Sequence, residues 1–323
     1  MKKIGVFTSG GDSPGMNACI RAVVRSAKYY DIDTVGIVRG YDGMINTDFK
    51  NLKPSDVSNI IQRGGTILKS ARSKGFMTYE GRKKAFENLQ KEGIEGIVAI
   101  GGDGTFKGAV EFSKEFDMPI IGVPGTIDND LQGTDNTLGY DTALNTVIWA
   151  VDKLRDTADS HDRLFIVEVM GKDAGFIALR SGIGVGAEAI LVPETTTYIN
   201  KLLAILERGW KRKKSSSIVI VAEGDDSGGA YEVAKQVKEN FPHYDTRVSI
   251  LGHIQRGGSP SAVDRVLGSR MGLAAVEALK DGKRNEMIGI VNNKIHYTPF
   301  EFAIKHHDEL NAELLNLAEI LSL

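Results

Sequence analysis

Gly96-Ile97-Val98-Ala99-Ile100, followed at once by Gly101-Gly102-Asp103-Gly104-Thr105 and then by a stretch of helical period from Phe106 to Phe116, decides the fold class of this chain. A short run that is apolar at every position is a strand buried on both faces, as in parallel sheets. Glycines at its end permit a tight reversal into a helix. The same order recurs outward in both directions. Strands are expected at Ile4–Thr8, Thr34–Val38, Pro119–Val123, Leu164–Val169, Ala189–Val192, Ile218–Ala222, Val248–Leu251 and Ile288–Val291. Helices are expected at Gly15–Tyr30, Arg82–Glu92, Ala143–Asp156, Asn200–Lys213, Tyr231–Asn240 and Ala262–Lys280, with a last one from about Phe300 to Leu321. The alternation predicts an α/β protein with mainly parallel sheets flanked by helices.

The 323 residues suffice for one large α/β unit or two lobes, and with no Pro/Ser-rich linker a compact two-lobed body is expected. With 41% hydrophobic and 25% charged residues, neither disorder nor a coiled coil is indicated. A net charge of -2 argues against a protein that neutralises nucleic-acid phosphates. Cys19 is the only cysteine, so no intrachain disulfide is possible; its apolar setting predicts a small buried thiol in a reducing compartment. The apolar segment near the N-terminus is too short for a signal sequence, and no window approaches the ~18 uncharged apolar residues of a membrane span. A cytoplasmic location without membrane association is expected.

Many of the 37 glycines cluster where a strand gives way to a helix, the place where open α/β sheets bind ligands. Thr8-Ser9-Gly10-Gly11-Asp12-Ser13-Pro14-Gly15 is one such turn; it lacks Walker A spacing and by itself is compatible with a mere tight connection. Gly101–Thr105 repeats its Gly-Gly-Asp and adds a carboxylate between glycines. Backbone there could approach phosphates while Asp103 takes Mg²⁺; helix capping by Asp103 is the alternative. In Pro124-Gly125-Thr126-Ile127-Asp128-Asn129-Asp130 two carboxylates lie two residues apart at a strand end, fit for proton acceptance and orientation, or else for a solvated turn. Leu251–Pro260 delivers His253 and Arg256 into a glycine-rich turn suited to a sugar phosphate. Arg72, Arg163 and Arg247, taken singly, read as surface charges.

Taken in order and spacing, these segments resemble the bacterial ATP-dependent phosphofructokinases over essentially the whole chain. The resemblance is carried by Thr8–Asp12 with Pro14-Gly15-Met16-Asn17, Arg63-Gly64-Gly65-Thr66 with Ser70-Ala71-Arg72, Gly101–Gly104, Pro124–Asp130, Val167–Gly171, Ala222-Glu223-Gly224 and Gly252–Pro260. It implies ATP contacts by Gly11, Tyr41, Arg72, Ser73, Gly102, Asp103, Gly104, Thr105 and Gly108, with Mg²⁺ on Asp103. It implies Asp128 as catalytic base, helped by Arg72, Thr126 and Lys172. Fructose 6-phosphate would be held by Thr126, Asp128, Asp130, Met170, Gly171, Lys172, Glu223, His253 and Arg256, with Arg163 and Arg247 reaching in from a neighbouring subunit of a homotetramer. An ATP-binding lobe over about 1–139 and 252–301 and a sugar-phosphate lobe over about 140–251 and 302–323 follow from the same resemblance. So does an ADP or phosphoenolpyruvate effector site using Arg21, Arg25, Arg155, Gly186, Glu188, Arg212 and Lys214.

Three positions depart from that pattern. Lys172 stands where the family usually has Arg, a point charge for a planar fork. Pro54 and Ser216 stand where effector-responsive relatives often carry basic residues. Pyrophosphate-dependent members are expected to have Asp at position 104 and Lys at 125; this chain has Gly104 and Gly125, which leaves room for the α-phosphate of ATP. A non-catalytic sugar-phosphate sensor would be expected to have lost Asp103 or Asp128, and a NAD or lipid kinase would not combine Pro124–Asp130 with His253 and Arg256.

Overall fold

The computed structural model describes residues 1–161, 163–196, 199–212, 217–242, 244–304 and 310–321. In chain order the elements are β1 (Lys3–Thr8), α1 (Met16–Tyr29), β2 (Asp33–Ile37), α2 (Gly40–Asn46), β3 (Phe49–Leu52), α3 (Tyr79–Glu92), β4 (Ile97–Gly101), α4 (Asp103–Glu115) and β5 (Ile120–Pro124). There follow α5 (Tyr140–Asp159), β6 (Arg163–Val169), α6 (Phe176–Gly184), β7 (Ala189–Leu191), α7 (Ile199–Lys211), β8 (Ser217–Ala222), α8 (Ala230–Asn240) and β9 (Asp245–Ile250). The last are α9 (Ala262–Lys280), β10 (Glu286–Val291), β11 (Lys294–Pro299), α10 (Phe300–Ala303) and α11 (Ala312–Leu321). They fall into two units: Met1–Ile127 with Leu131–Thr142 and Arg256–His306, and Asp128–Asp130 with Ala143–Gln255 and His307–Leu323.

The first unit holds a seven-stranded sheet in the order β11-β10-β5-β4-β1-β2-β3. Its five inner strands are parallel, and both edge strands run antiparallel to their neighbours. Continuous apolar runs in the inner strands resolve into two cores because successive side chains point to opposite faces. Ile4, Val6, Val98, Ile100, Ile121 and Val123 pack under α1 and α9. Phe7, Ile97, Ala99 and Ile120 pack on the other face against Phe76, Phe106, Phe112 and Phe300. The helices α1 and α9 approach closely because Gly268 and Gly272 present no side chain there. A Cβ on Gly272 would stand 2.8 Å from both Ala22 Cβ and Cys19 O. Cys19 is buried in this contact, and burial pushes its thiol far above the ordinary range.

The second unit carries a four-stranded, wholly parallel sheet, β7-β8-β6-β9. Its core joins Leu164, Ile166, Val219 and Val221 to Leu202 and Leu206 of α7 and Val233 and Val237 of α8.

The sequence expectations miss β3 and β11, the edge strands of the large sheet. Both are half-exposed and polar, as edges that resist pairing with other chains tend to be, so neither shows a buried-strand pattern. They miss α2, whose Gly40 and Gly43 lower helix propensity, and α6, which is apolar over most of its length. The single helix expected from Phe300 to Leu321 is corrected: α10 ends at Ala303, and Asn311 starts a new helix by accepting from Leu314 N at 3.1 Å.

Candidate active site

From β1 the chain crosses to β2 on one side, and from β4 it crosses to β5 on the other, so the β1/β4 seam is the point where the winding reverses. The carboxyl ends of β1, β4 and β5 therefore open side by side. Ser9 N donates to Ile100 O at 3.0 Å and Gly125 N to Gly101 O at 2.9 Å, holding the three following loops in register. A Cβ on Gly102 would stand 3.5 Å from Thr126 Cβ, so the glycine turn that opens α4 faces Thr126 directly.

The first glycine loop is walled by the segment 62–72. Thr8 Oγ1 lies 2.9 Å from Thr66 Oγ1 and donates to Lys69 O at 2.9 Å, and Ser70 Oγ donates to Gly10 O at 2.5 Å. Asn17, buried at the start of α1, donates to Arg63 O and Gly64 O and accepts from Ile67 N at 2.8 Å. These bonds shape an open depression of ≈ 420 Å³ lined by Gly10, Gly11, Asp12, Lys69 and Arg72 among others. A Cβ on Gly11 would stand 2.5 Å from the Arg256 guanidinium, so Arg256, expected at the sugar phosphate, lies over the first glycine loop. The sequence gives Asn17, Lys69 and Ser70 no role because their partners lie 46 to 61 residues away in the chain.

Asp103 is the first residue of α4, where a carboxylate complements the helix dipole, and Lys107 Nζ reaches its Oδ2 at 2.6 Å. Among the described residues no cluster of three or more acidic, His or Cys side chains gathers to form a complete metal cage. One partly buried carboxylate at a glycine turn nevertheless fits Mg²⁺, which commonly takes one or two protein carboxylates and completes its shell with phosphates and water. A Cβ on Gly104 would meet nothing within 4 Å, whereas one on Gly125 would press on Met16 Cε at 3.0 Å and Ile100 Cγ2 at 3.1 Å. Gly125 is thus also a packing glycine, and Gly104 alone borders open space. Tyr41, expected at the nucleotide, is buried: its hydroxyl donates to Thr105 O at 2.6 Å and its ring stacks on Phe76. Gly108 makes room for that ring, so Tyr41 backs the glycine turn from within. Ser73 Oγ is directed to Asp42 Oδ1 at 3.2 Å.

In the second unit Met170, Gly171 and Lys172 form a turn after β6. Glu223 accepts from Lys172 N at 2.8 Å, and Gln255 Oε1 accepts from Met170 N at 3.2 Å. Gln255, fully buried and unremarked in the sequence, ties this turn to the 3₁₀ turn Gly252–Arg256, which leaves His253 exposed. Lys172 has a φ of 56°, and its Nζ lies 3.1 Å from Asp173 Oδ2. Arg163 and Arg247 sit on neighbouring strands, and one carboxylate gathers both: Asp245 accepts from Arg163 Nε at 2.8 Å and from Arg247 Nη2 at 2.9 Å. Arg163 beside Asp245 holds its carboxyl below the usual carboxylate range, with Arg247 adding to the effect. Asp128 and Asp130, next in the chain after the Thr126 turn, are buried, with Asn129 between them at a φ of 55°.

The family sequence model described as Phosphofructokinase matches residues 3–279. A relative from Bacteroides thetaiotaomicron, named ATP-dependent 6-phosphofructokinase 2, is 55% identical over 100% of this chain and 99% of its own. Another from Cytophaga hutchinsonii, named ATP-dependent 6-phosphofructokinase, is 56% identical over 100% of this chain and 98% of its own. This chain belongs to the phosphofructokinase family. Among solved structures, the phosphofructokinase of Saccharomyces cerevisiae superposes with a TM-score of 0.87 at 37% identity over 94% of this chain, which spans 45% of the yeast chain.

Of the positions where phosphofructokinase family resemblance implies an effector, Arg21 and Arg25 lie one turn apart on α1, the first half-buried and the second exposed. In the second unit Arg155 donates to the carbonyls of Val185 and Gly186, closing the end of α6. Glu188 is buried; its N donates to Ile218 O at 2.9 Å and its carboxylate accepts from Ile218 N. Arg212 is exposed, and Lys214 and Ser216 lie outside the described residues.

Proposed function

We propose that the protein is an ATP-dependent 6-phosphofructokinase, transferring the γ-phosphoryl group of ATP to the C1 hydroxyl of fructose 6-phosphate to give fructose 1,6-bisphosphate and ADP, the committed step of glycolysis. The observation that carries it is the seam of β1, β4 and β5, where two glycine turns open at strand ends and the second faces Thr126, two residues before Asp128 in the chain. We assign ATP to the first unit and the sugar phosphate to the second. Phosphoryl transfer demands positioning and charge stabilisation more than covalent chemistry. Backbone at Gly11 and Gly102–Thr105 would approach the phosphates, with Arg72 and Arg256 supplying positive charge over the same loop. Asp103 would hold Mg²⁺, whose charge would offset that of the phosphates. Thr126 would align the acceptor, and Asp128 would take the C1 hydroxyl proton.

Gly104 supports ATP over pyrophosphate as donor, since the space beside it is open. On the acceptor side, Glu223 and Gln255 would hold the Met170–Lys172 turn, while Asp245 would keep Arg163 and Arg247 aligned for a phosphate of the adjoining subunit in a homotetramer. The resemblance supports an ADP or phosphoenolpyruvate site between subunits, drawing on Arg21, Arg25, Arg155, Gly186, Glu188, Arg212 and Lys214. No helix among the described residues is long and apolar enough to cross a membrane. A coupled assay with fructose 6-phosphate and either ATP or pyrophosphate tests the assignment: turnover with ATP and Mg²⁺ and little with pyrophosphate is expected, and the reverse result refutes it.

A further inference from the structure

Asp264 has no exposed surface and no part in the site described above. It is the third residue of α9, whose N-cap Ser261 accepts from Asp264 N at 3.2 Å. An acidic residue at that position ordinarily turns back to the N-cap amide. Here Thr142 intervenes: its hydroxyl accepts from Ser261 N at 2.9 Å and donates to Asp264 Oδ2 at 2.5 Å. The carboxylate is thereby released to bind a different stretch of chain. Oδ1 accepts from Gly139 N at 2.8 Å and Oδ2 from Thr142 N at 2.9 Å.

The segment 137–142 so held is a strap along the end of β5. Thr137 Oγ1 donates to Thr126 O at 2.6 Å, and Leu138 N donates to Pro124 O at 2.8 Å. On its other side the strap meets the first glycine loop, where a Cβ on Gly139 would stand 2.6 Å from Ser13 Cβ. One buried carboxylate thus anchors the piece of backbone wedged between the two loops that open the site. We propose that Asp264 is a positioning residue for phosphoryl transfer, setting through the Thr137–Thr142 strap where the Thr126 turn presents its side chain. Its catalytic consequence rests on the function proposed above; the anchoring does not.

The geometry matters because a displacement of about 1 Å at a reacting group can cost ~10²-fold in rate. Asp264→Asn keeps the shape but turns one acceptor into a donor facing an N–H or hydroxyl. It is expected to lower kcat by about 10-fold or more while KM for ATP changes by less than about 3-fold. Thr137→Val severs the strap from Thr126 without touching Asp264 and is expected to give a similar split. If both act through the one strap, the double variant loses little more than the worse single variant, whereas a general loss of packing would multiply the two effects. Hydrogen exchange of the 124–142 amides, faster in Asp264→Asn with the rest of the protein unchanged, reads the anchoring without any assay of turnover. That readout stands even if the wild type fails to phosphorylate fructose 6-phosphate, which would sink the function alone. Should Asp264→Asn not fold, Thr142→Val, which removes the bridging hydroxyl and leaves the carboxylate its two amides, carries the same comparisons. Unchanged exchange at 124–142, a kcat within about 2-fold of wild type, or multiplicative losses would overturn the proposal.

Discussion

Asp128 and Gly104 are the single positions at which the proposed chemistry is most directly tested. A general base typically supplies ~10²–10⁴-fold, so Asp128→Ser is expected to lower kcat by at least ~10²-fold with modest change in KM; steady-state rates near those of wild type would remove Asp128 from the role of base. Gly104 separates effects on donor use from effects on folding. Its Cβ direction is open, and a carboxylate in the first turn of α4 is favoured by the helix dipole. Gly104→Asp should therefore leave the thermal midpoint near that of wild type while sharply impairing ATP use, because the new charge repels the phosphates. Unaltered ATP kinetics would mean that donor choice lies elsewhere. The same comparison could not be made at Gly125, where Met16 and Ile100 already crowd the missing side chain. The glycines at both positions are evident in the sequence, but only packing distinguishes the one that borders space from the one that fills it.

The element that most depends on close approach is the α1–α9 pair. Gly268 and Gly272 lie against backbone of Gly15 and Cys19, so the start of α1 and the glycine loop before it are seated on α9. Inserting a methyl group into a well-packed contact typically costs ~1–3 kcal/mol. Gly272→Ala is expected to lose stability in that range, measured by denaturant or thermal unfolding, with Ala22 and the Cys19 carbonyl unable to move independently of α1. A stability equal to wild type would show that the helices can separate without strain. In the sequence α9 reads only as a helical stretch over Ala262–Lys280, with nothing to single out its glycines. Their necessity appears only when the partner helix is in place.

At the scale of the whole molecule, the proposed effector response is open to a direct test. Arg21 and Arg25, four residues apart on α1, share one helix face and could grip a diphosphate together. An effector shifts a quaternary equilibrium only by its differential affinity for the two states, typically ~1–3 kcal/mol. Arg25→Ala is expected to weaken or abolish the response to ADP or phosphoenolpyruvate while maximal velocity at saturating fructose 6-phosphate stays within a few-fold. Initial-rate curves with and without each effector check this, and an intact response in the variant would place the effector elsewhere. The sequence by itself determined the fold class, the order of the inner strands along the chain and the glycine-rich turns at their carboxyl ends. All of these are written locally, in apolar runs buried on both faces and in glycines where a strand turns into a helix. It did not disclose β3 and β11, whose pairing partners rather than their composition make them strands. Nor did it disclose Asp245 gathering two arginines, Arg256 over Gly11, or Asp264 holding Gly139 from 125 positions away. A hydrogen bond between residues so far apart in the chain leaves no periodicity and no short motif, so the tertiary structure alone decided what those side chains do.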